Sequence, residues 1–274
     1  MADGPVRLVS WNILEGFHRP GSADPGRGLD VGRLAAAHEL IAHLRPDVLV
    51  LNEALWCREH GGRVVDYGAL LGFPHAACDL YDGEWGNAIL TKLPIVDMRC
   101  FRIYNRGGVR VAVDVGGGRR LTIATYHPHP SRWPLHKAED YRTLLSGVDG
   151  AVAVCGDFNA VNPDDAPDRA ALEAAFARFS SQPGPDVARF VDGGRAVFAA
   201  ASALGLRDAV PPDGRRPTIP TRLISSADDS GMRIDHILVN SAVAVAHAEV
   251  VRHPAAERAS DHYPVLADLR IGAA

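Results

Sequence analysis

Acids, amides and histidines gather at the ends of apolar runs in this chain. Gly156-Asp157-Phe158-Asn159 follows Ala-Val-Ala-Val-Cys at 151–155. A run of that kind bounded by glycine suits a strand buried on both faces, so an acid and an amide emerge at the rim of a rigid sheet. Taken alone, Gly-Asp-x-Asn is an ordinary turn sequence, because all three residue types favour turn geometry. The pattern recurs, however. Val48-Leu49-Val50-Leu51 ends at Asn52-Glu53, the run from Val6 to Ile13 delivers Asn12, and the run from Leu121 to Tyr126 delivers His127. His129 follows between Pro128 and Pro130, and the residue before each proline is restricted to extended backbone. Arg233-Ile234-Asp235-His236 opens the apolar run Ile237-Leu238-Val239, and Ser260-Asp261-His262 precedes another from Pro264 to Ile271.

Glu53, Asp157, Asp235 and Asp261 would repel one another strongly if they converged without a counter-charge. A divalent cation resolves the repulsion. Carboxylate and amide oxygens from these acids, Asn12 and Asn159, with no cysteine partner, favour a hard ion, Mg²⁺ or Mn²⁺, over zinc. Such an ion beside the histidines His127 and His262 suits attack of water on a phosphoester. An imidazolium stabilises charge on the phosphoryl oxygens while an aspartate accepts the water proton. Nothing resembles a nucleophilic serine elbow or a phosphate-cradling Gly-rich loop.

The elements that must hold these residues can be read in outline. Gly16 to Leu29 is a loop. Asp30 caps a helix with Leu34, Ala37, Ile41 and Leu44 at helical spacing, stopped by Pro46. Residues 86–95 form a strand with Asn87 at its start, and Val109–Val115 with Leu121–Tyr126 form a hairpin around Gly116-Gly117-Gly118. A helix is expected from Leu135 to Leu145, with Arg142 facing the same rim, and another from Ala170 to Phe179. On the second, Leu172, Ala175, Phe176 and Phe179 form a core-packing face. Ser180 to Val187, with glycine and two prolines, reads as a surface loop, and a further helix runs from Arg195 to Leu204.

Composition sets the outer bounds. The chain has 274 residues, 47% hydrophobic and 23% charged, which suits one globular domain over 1–274. A net charge of −4 gives no global basic surface for a polyanion. Local phosphate contacts could still come from Arg19, Arg27, Arg106, Arg110, Arg132 and Arg222, and stacking from Trp85 and Trp133. Cys57, Cys78, Cys100 and Cys155 are widely spaced, so reduced, structural cysteines are expected. No apolar stretch is long enough to cross a bilayer and no leader pattern opens the chain, from which cytoplasmic residence is expected. A monomer is expected.

The motifs Ser10-Trp11-Asn12-Ile13, Asp47 to Glu53, Gly86-Asn87-Ala88-Ile89-Leu90, Thr125 to His127, Gly156 to Asn159, Arg233 to His236 and Ser260-Asp261-His262 together resemble the endonuclease/exonuclease/phosphatase superfamily. The resemblance covers nearly the whole chain, in the family's order. It implies an α+β fold, the DNase-I-like four-layer αββα sandwich of two mixed or antiparallel sheets flanked by helices. Carried over by position, it implies Glu53 as main metal ligand, supported by Asn12 and Asp261. Asp157 would activate the water, Asn159 would hold it or the phosphate, and His262, oriented by Asp235, would bind the scissile phosphate with His127. Asn87, His129 and Arg142 are candidate substrate contacts. Tyr126 separates Thr125 from His127, so His129 could share the role given to His127. Asn52 stands where many members carry glutamine, and His236 where tyrosine is common, which would add a titrating group near the site. The implied activity is divalent-metal-dependent hydrolysis of a phosphodiester or phosphomonoester of a small molecule, nucleotide or lipid headgroup. A DNA or RNA nuclease is the alternative, and a catalytically silent binding module on the same fold a third reading.

Overall fold

The computed structural model describes residues 4–18, 28–54, 65–79, 86–104, 106–177, 181–224 and 231–272. Arg19, Arg27, Cys57, Trp85 and Phe179, singled out above, lie outside these residues. In chain order the first half comprises β1 (Val6–Asn12), α1 (Val31–Leu44), β2 (Val48–Ala54), α2 (Tyr67–Leu71), β3 (His75–Cys78), β4 (Gly86–Thr91), β5 (Ile95–Ile103), β6 (Arg106–Gly116) and β7 (Arg119–Thr125). The second half comprises α3 (Pro134–Leu145), β8 (Ala151–Asp157), α4 (Arg169–Phe176), α5 (Pro183–Ala203), β9 (Arg207–Asp208), β10 (Asp235–Val239), β11 (Val243–Val250), α6 (Pro254–Ala259) and β12 (Val265–Ile271).

The strands pair into two sheets, ordered β11-β12-β1-β2-β4-β3 and β5-β6-β7-β8-β10-β9. Each is mixed: β1 with β2, and β7 with β8, run parallel, and the other pairs are antiparallel. Side chains of a strand alternate between faces, and β8 shows what that does here. Ala151, Ala153 and Cys155 join the core between the sheets, whereas Val152 and Val154 pack with Tyr141, Leu144, Val197 and Ala201 of the outer helices α3 and α5. Both faces are buried, which is why 151–155 reads as an unbroken apolar run. On the other side α1, with Leu40 and Leu44 in the core, and α6 cover the first sheet. This is the αββα sandwich expected from the resemblance.

Several local readings change. The stretch 183–187 is the first turn of α5, a helix of 21 residues. Proline is tolerated there because first-turn N–H groups have no intrahelical partner. The strands β5 and β11 carry mixed polar and apolar residues, Ile95–Ile103 and Val243–Val250, because much of each lies exposed. Cys78 is disulfide-bonded, contrary to the reduced state expected, while Cys100 and Cys155 are free thiols. Sequence spacing does not report the Cα separation that decides whether two cysteines can join. Among the described residues no helix is long and apolar enough to cross a membrane.

Candidate active site

Strand register brings the polar residues together at one rim. Parallel pairing sets Asn12 at the end of β1 beside Asn52 of β2. Antiparallel pairing sets the last residue of β8, Asp157, opposite the first residue of β10, Asp235. Glu53 interrupts the β2–β4 ladder as a bulge between Asn52 and Ala54, with φ of 58°. A left-handed glutamate is uncommon, and a bulge re-aims a side chain out of the pleat, so this strain turns the carboxylate into the site. Asn159 is also left-handed, at φ 47°, where asparagine is better tolerated. Gly156 is required by space: a Cβ there would stand 2.0 Å from the Tyr126 carbonyl oxygen.

A seam of amides joins the two sheets just behind the rim. Asn52 Nδ2 donates to Asn87 Oδ1 at 2.6 Å and Thr125 Oγ1 at 3.2 Å, while its Oδ1 accepts from the Asp157 N–H at 2.9 Å. Asn87 Nδ2 donates to Asp79 Oδ2 at 2.9 Å and the Gly107 carbonyl at 2.8 Å. Asn87 is therefore committed to the scaffold beneath Asp157 and lies outside the cavity lining.

At the rim, Asn12 Nδ2 donates to Glu53 Oε1 and to Asp157 Oδ2, both at 3.2 Å, and Glu53 Oε2 accepts from the Glu15 N–H at 2.9 Å. His262 Nδ1 bonds Asp235 Oδ2 at 2.7 Å, which leaves Nε2 4.0 Å from Asp157 Oδ2 and 3.9 Å from Asp261 Oδ1. On the opposite side His127 Nε2 lies 3.7 Å from the same Asp157 oxygen. Two bonds hold the Ser260-Asp261-His262 segment on β1: Ser260 Oγ donates to the Asn12 carbonyl at 2.7 Å, and Trp11 Nε1 to the His262 carbonyl at 3.0 Å.

Charge follows from these neighbours. Burial, then Asp261, raises the Glu53 carboxyl, and burial, then Asp235, raises Asp157 to about 7. Burial opposes the His262 imidazolium, but Asp235, Asp261 and Asp157 outweigh it, so His262 titrates well above the ordinary range. His127 is pushed well below it by burial, then Arg106 and His262, so it stands neutral beside Asp157.

The donor set fits a hard divalent cation. Buried carboxylates held above their ordinary range mark a site short of positive charge, and oxygen donors dominate it. Ligand atoms of Asp157, Asp235 and His262 lie within 4.8 Å of one another. Asp235 Oδ2 and His262 Nδ1 are bonded to each other, while Asp235 Oδ1 has no hydrogen-bond partner among the described residues and Glu53 and Asp261 add further carboxylate oxygens at the same rim.

A cavity of about 320 Å³ opens at this rim, lined on one side by Glu53, Arg106, His127, Asp157, Asn159 and His262. Leu172, Ala175 and Phe176 of α4 line another side, so the helix face expected to serve only as core also walls the site. Other candidates lie elsewhere. Arg142 is on the exposed face of α3, away from the buried Lys137, Asp140, Tyr141 and Leu144. His129 binds Ser131 Oγ at 2.6 Å outside the cavity lining. Arg110 is committed to the Leu144 and Ser146 carbonyls, and Arg132 to Asp140. Arg222 is exposed, 3.7 Å from Glu257. His236 is fully buried behind the site, 3.1 Å from the Ala160 carbonyl and 3.4 Å from Asp208.

Two cations the sequence reading passed over hold the loops in place. Arg33 donates to the Ile13, Leu14 and Ala259 carbonyls at 2.7, 2.8 and 2.8 Å, and burial lowers its pKa. Lys137 donates to the Asn159 carbonyl at 2.7 Å, and burial lowers it to about 8 against the pull of Asp157. Both occupy buried helical phases, Arg33 with Ala37, Leu40 and Leu44, and Lys137 with Tyr141 and Leu144. A charge in a core phase was the available signal.

Two mixed sheets with acids, amides and histidines at one shared rim define a fold class of phosphoesterases and nucleases. The model of the endonuclease/exonuclease/phosphatase family matches residues 9–262, and the chain belongs to that family. Solved structures agree on the fold. The endonuclease/exonuclease/phosphatase from Beutenbergia cavernae is 21% identical with TM-score 0.71, covering 99% of this chain and 72% of that one. An AP endonuclease from Archaeoglobus fulgidus is 18% identical with TM-score 0.70, covering 97% and 100%. The 3′ phosphatase NExo from Neisseria, bound to a product DNA hairpin, is 21% identical with TM-score 0.65, covering 96% and 98%. No curated protein matches the sequence.

Proposed function

We propose that the chain, as a single domain over 1–274, is a divalent-metal-dependent phosphoester hydrolase. Its substrate is a phosphodiester or phosphomonoester of a small molecule, nucleotide or lipid headgroup. The observation that carries this reading is the 2.7 Å Asp235–His262 pair, which holds a cationic imidazole across from Asp157 and Glu53 in one cavity.

Glu53, held by the Asn12 Nδ2 amide while Asn12 Oδ1 accepts from the Leu14 N–H, and supported by Asp261, would hold Mg²⁺ or Mn²⁺, which when bound neutralises phosphoryl charge and lowers the pKa of bound water. Asp157, facing both histidines across the cavity, accepts the proton of the attacking water. The oxygen of that water forms the new bond to phosphorus as the ester oxygen departs on the far side. His262 donates from Nε2 to a phosphoryl oxygen, its ring fixed by Asp235, and neutral His127 offers a second contact. Asn159, tied through Nδ2 to the Pro128 carbonyl at 3.0 Å, keeps Oδ1 oriented toward water or phosphate.

A DNA or RNA endo- or exonuclease is the second reading, supported by the likeness to the AP endonuclease and the 3′ phosphatase. Hydrolysis of bis(p-nitrophenyl) phosphate and p-nitrophenyl phosphate with Mg²⁺, Mn²⁺ or EDTA tests the first, beside Asp157→Ala. Metal-dependent turnover, lost by at least about 10²-fold in the variant, is expected. Inert esters with cleavage of a labelled duplex would move the conclusion to the nuclease.

A further inference from the structure

The cavity has two unlike halves. Opposite the catalytic groups its wall is apolar: Ala175 and Phe176 from α4, Phe190 from α5, and Ile219, Met232 and Ile234 from the strand-like pair before β10. Phe176, Phe190 and Ile219 are only half-buried, so their faces still meet solvent across the cavity. Apolar side chains held against water beside charged groups are a cost unless a ligand covers them.

This wall is preformed and locked to the catalytic loop. The Phe190 carbonyl accepts from the Val161 N–H at 2.9 Å, two residues after Asn159. The helix α5 approaches that loop so closely that a Cβ on Gly194 would stand 2.0 Å from the Val161 carbonyl oxygen. Phe176 and Phe190 pack with ring centroids 6.0 Å apart. Ile219 and Met232 exchange backbone bonds at 3.1 and 2.9 Å. Beside Ile234, Arg233 forks onto Asp165 at 2.9 and 2.8 Å and reaches Asp208 at 2.6 Å, which fixes the chain from which Ile234 and Asp235 both project.

Size and charge narrow the occupant. A cavity of about 320 Å³ is at the small end for ligand sites, which run about 300–1,000 Å³. Part of it must hold the phosphate. Arg106 is the only lysine or arginine lining it among the described residues, so within this cavity a single guanidinium faces a single phosphate. A sugar bearing several hydroxyls would leave them unpaired against this wall.

Building on the hydrolase reading above, we infer that the substrate carries one compact apolar group, alkyl or aryl, attached directly beside the scissile phosphate. That group is held between Phe176, Phe190 and Ile219, and this wall determines specificity.

The test is calorimetric binding, in Mg²⁺, of methylphosphonate and naphthylmethylphosphonate, which carry no phosphoester bond to hydrolyse. The naphthyl compound binds at least about tenfold tighter, since covering some tens of Å² of apolar surface is worth that much. Ala175→Trp fills the pocket and collapses the ratio toward one. Ile219→Thr shortens the side chain by one heavy atom, makes the wall polar and reduces the ratio at least about threefold. Thermal melting confirms that each variant is folded. Equal affinity for the two compounds, no binding of either, or an unchanged ratio in both variants overturns the inference. Turnover of bis(p-nitrophenyl) phosphate without selectivity would sink the subsite and leave the hydrolase standing. Selectivity without turnover would do the reverse.

Discussion

His127 and His262 face the same Asp157 oxygen from two corners, at 3.7 and 4.0 Å, and both are buried, yet they hold opposite charge states. Burial disfavours the imidazolium at each. The corners differ in what else surrounds the ring: Asp235 and Asp261 beside His262, Arg106 and Lys137 beside His127. Neighbouring charge decides which histidine is cationic, and strand register decides the neighbours. The sandwich thus makes an asymmetric site from two like residues, one ring suited to stabilising phosphoryl charge and one to a neutral contact.

The largest expected effect comes from erasing the asymmetry. Asp235→Asn removes the anion that holds His262 charged and oriented, and the rate should fall about 10²–10⁴-fold. The alkaline limb of the pH–rate profile should also move to lower pH. A lower rate with an unmoved alkaline limb would show that Asp235 acts only by packing.

Next in size is the stability of the metal-free protein. Asp157 is raised from 3.8 to about 7, so between those values the folded state keeps a proton that the unfolded chain releases, and stability falls as pH rises. His262 is raised from 6.5, so its contribution is whole below 6.5 and is lost as pH rises through its folded value. The two carry the same sign. His127, lowered below 6.5, contributes the opposite sign up to that value, so melting of EDTA-treated protein should move down between pH 6.5 and pH 8, and Asp157→Asn should melt above wild type at pH 8. A variant that melts below wild type at pH 8 would refute this.

Lys137 gives a smaller effect of opposite sign. Its pKa is lowered from 10.5 to about 8, so its charging cost is present below 8 and is relieved as pH rises toward 10.5. Lys137→Met leaves the Asn159 carbonyl without its donor, costs about 1 kcal/mol, and abolishes that alkaline gain. Denaturant melts at pH 7 and pH 10 check both parts.

The rim was legible in the sequence because its residues break strong patterns. Asp157 and Glu53 end runs of four or five apolar residues, and a polar side chain there can only emerge at a sheet edge. Two things were less legible. The wall from α4 looked like core because half-buried and fully buried phenylalanines have the same helical spacing, and only the fold shows Phe176 lining the cavity with the acids, beside Phe190 of α5. The start of α5 was hidden by prolines that read as loop but fit a first turn. Arg33 and Lys137 show in the sequence only as charges in core phases of their helices, because their partners are backbone carbonyls, which carry no sequence signature.

The central claim is a metal-dependent hydrolase built on two unequal histidines. Its most direct test is the rate of bis(p-nitrophenyl) phosphate hydrolysis in Mg²⁺ by wild type, His262→Gln and His127→Gln. The account predicts EDTA-sensitive turnover by wild type, a loss of about 10²–10⁴-fold in His262→Gln, and a clearly smaller loss in His127→Gln. Equal losses in the two variants, or wild-type turnover unaffected by EDTA, would contradict it.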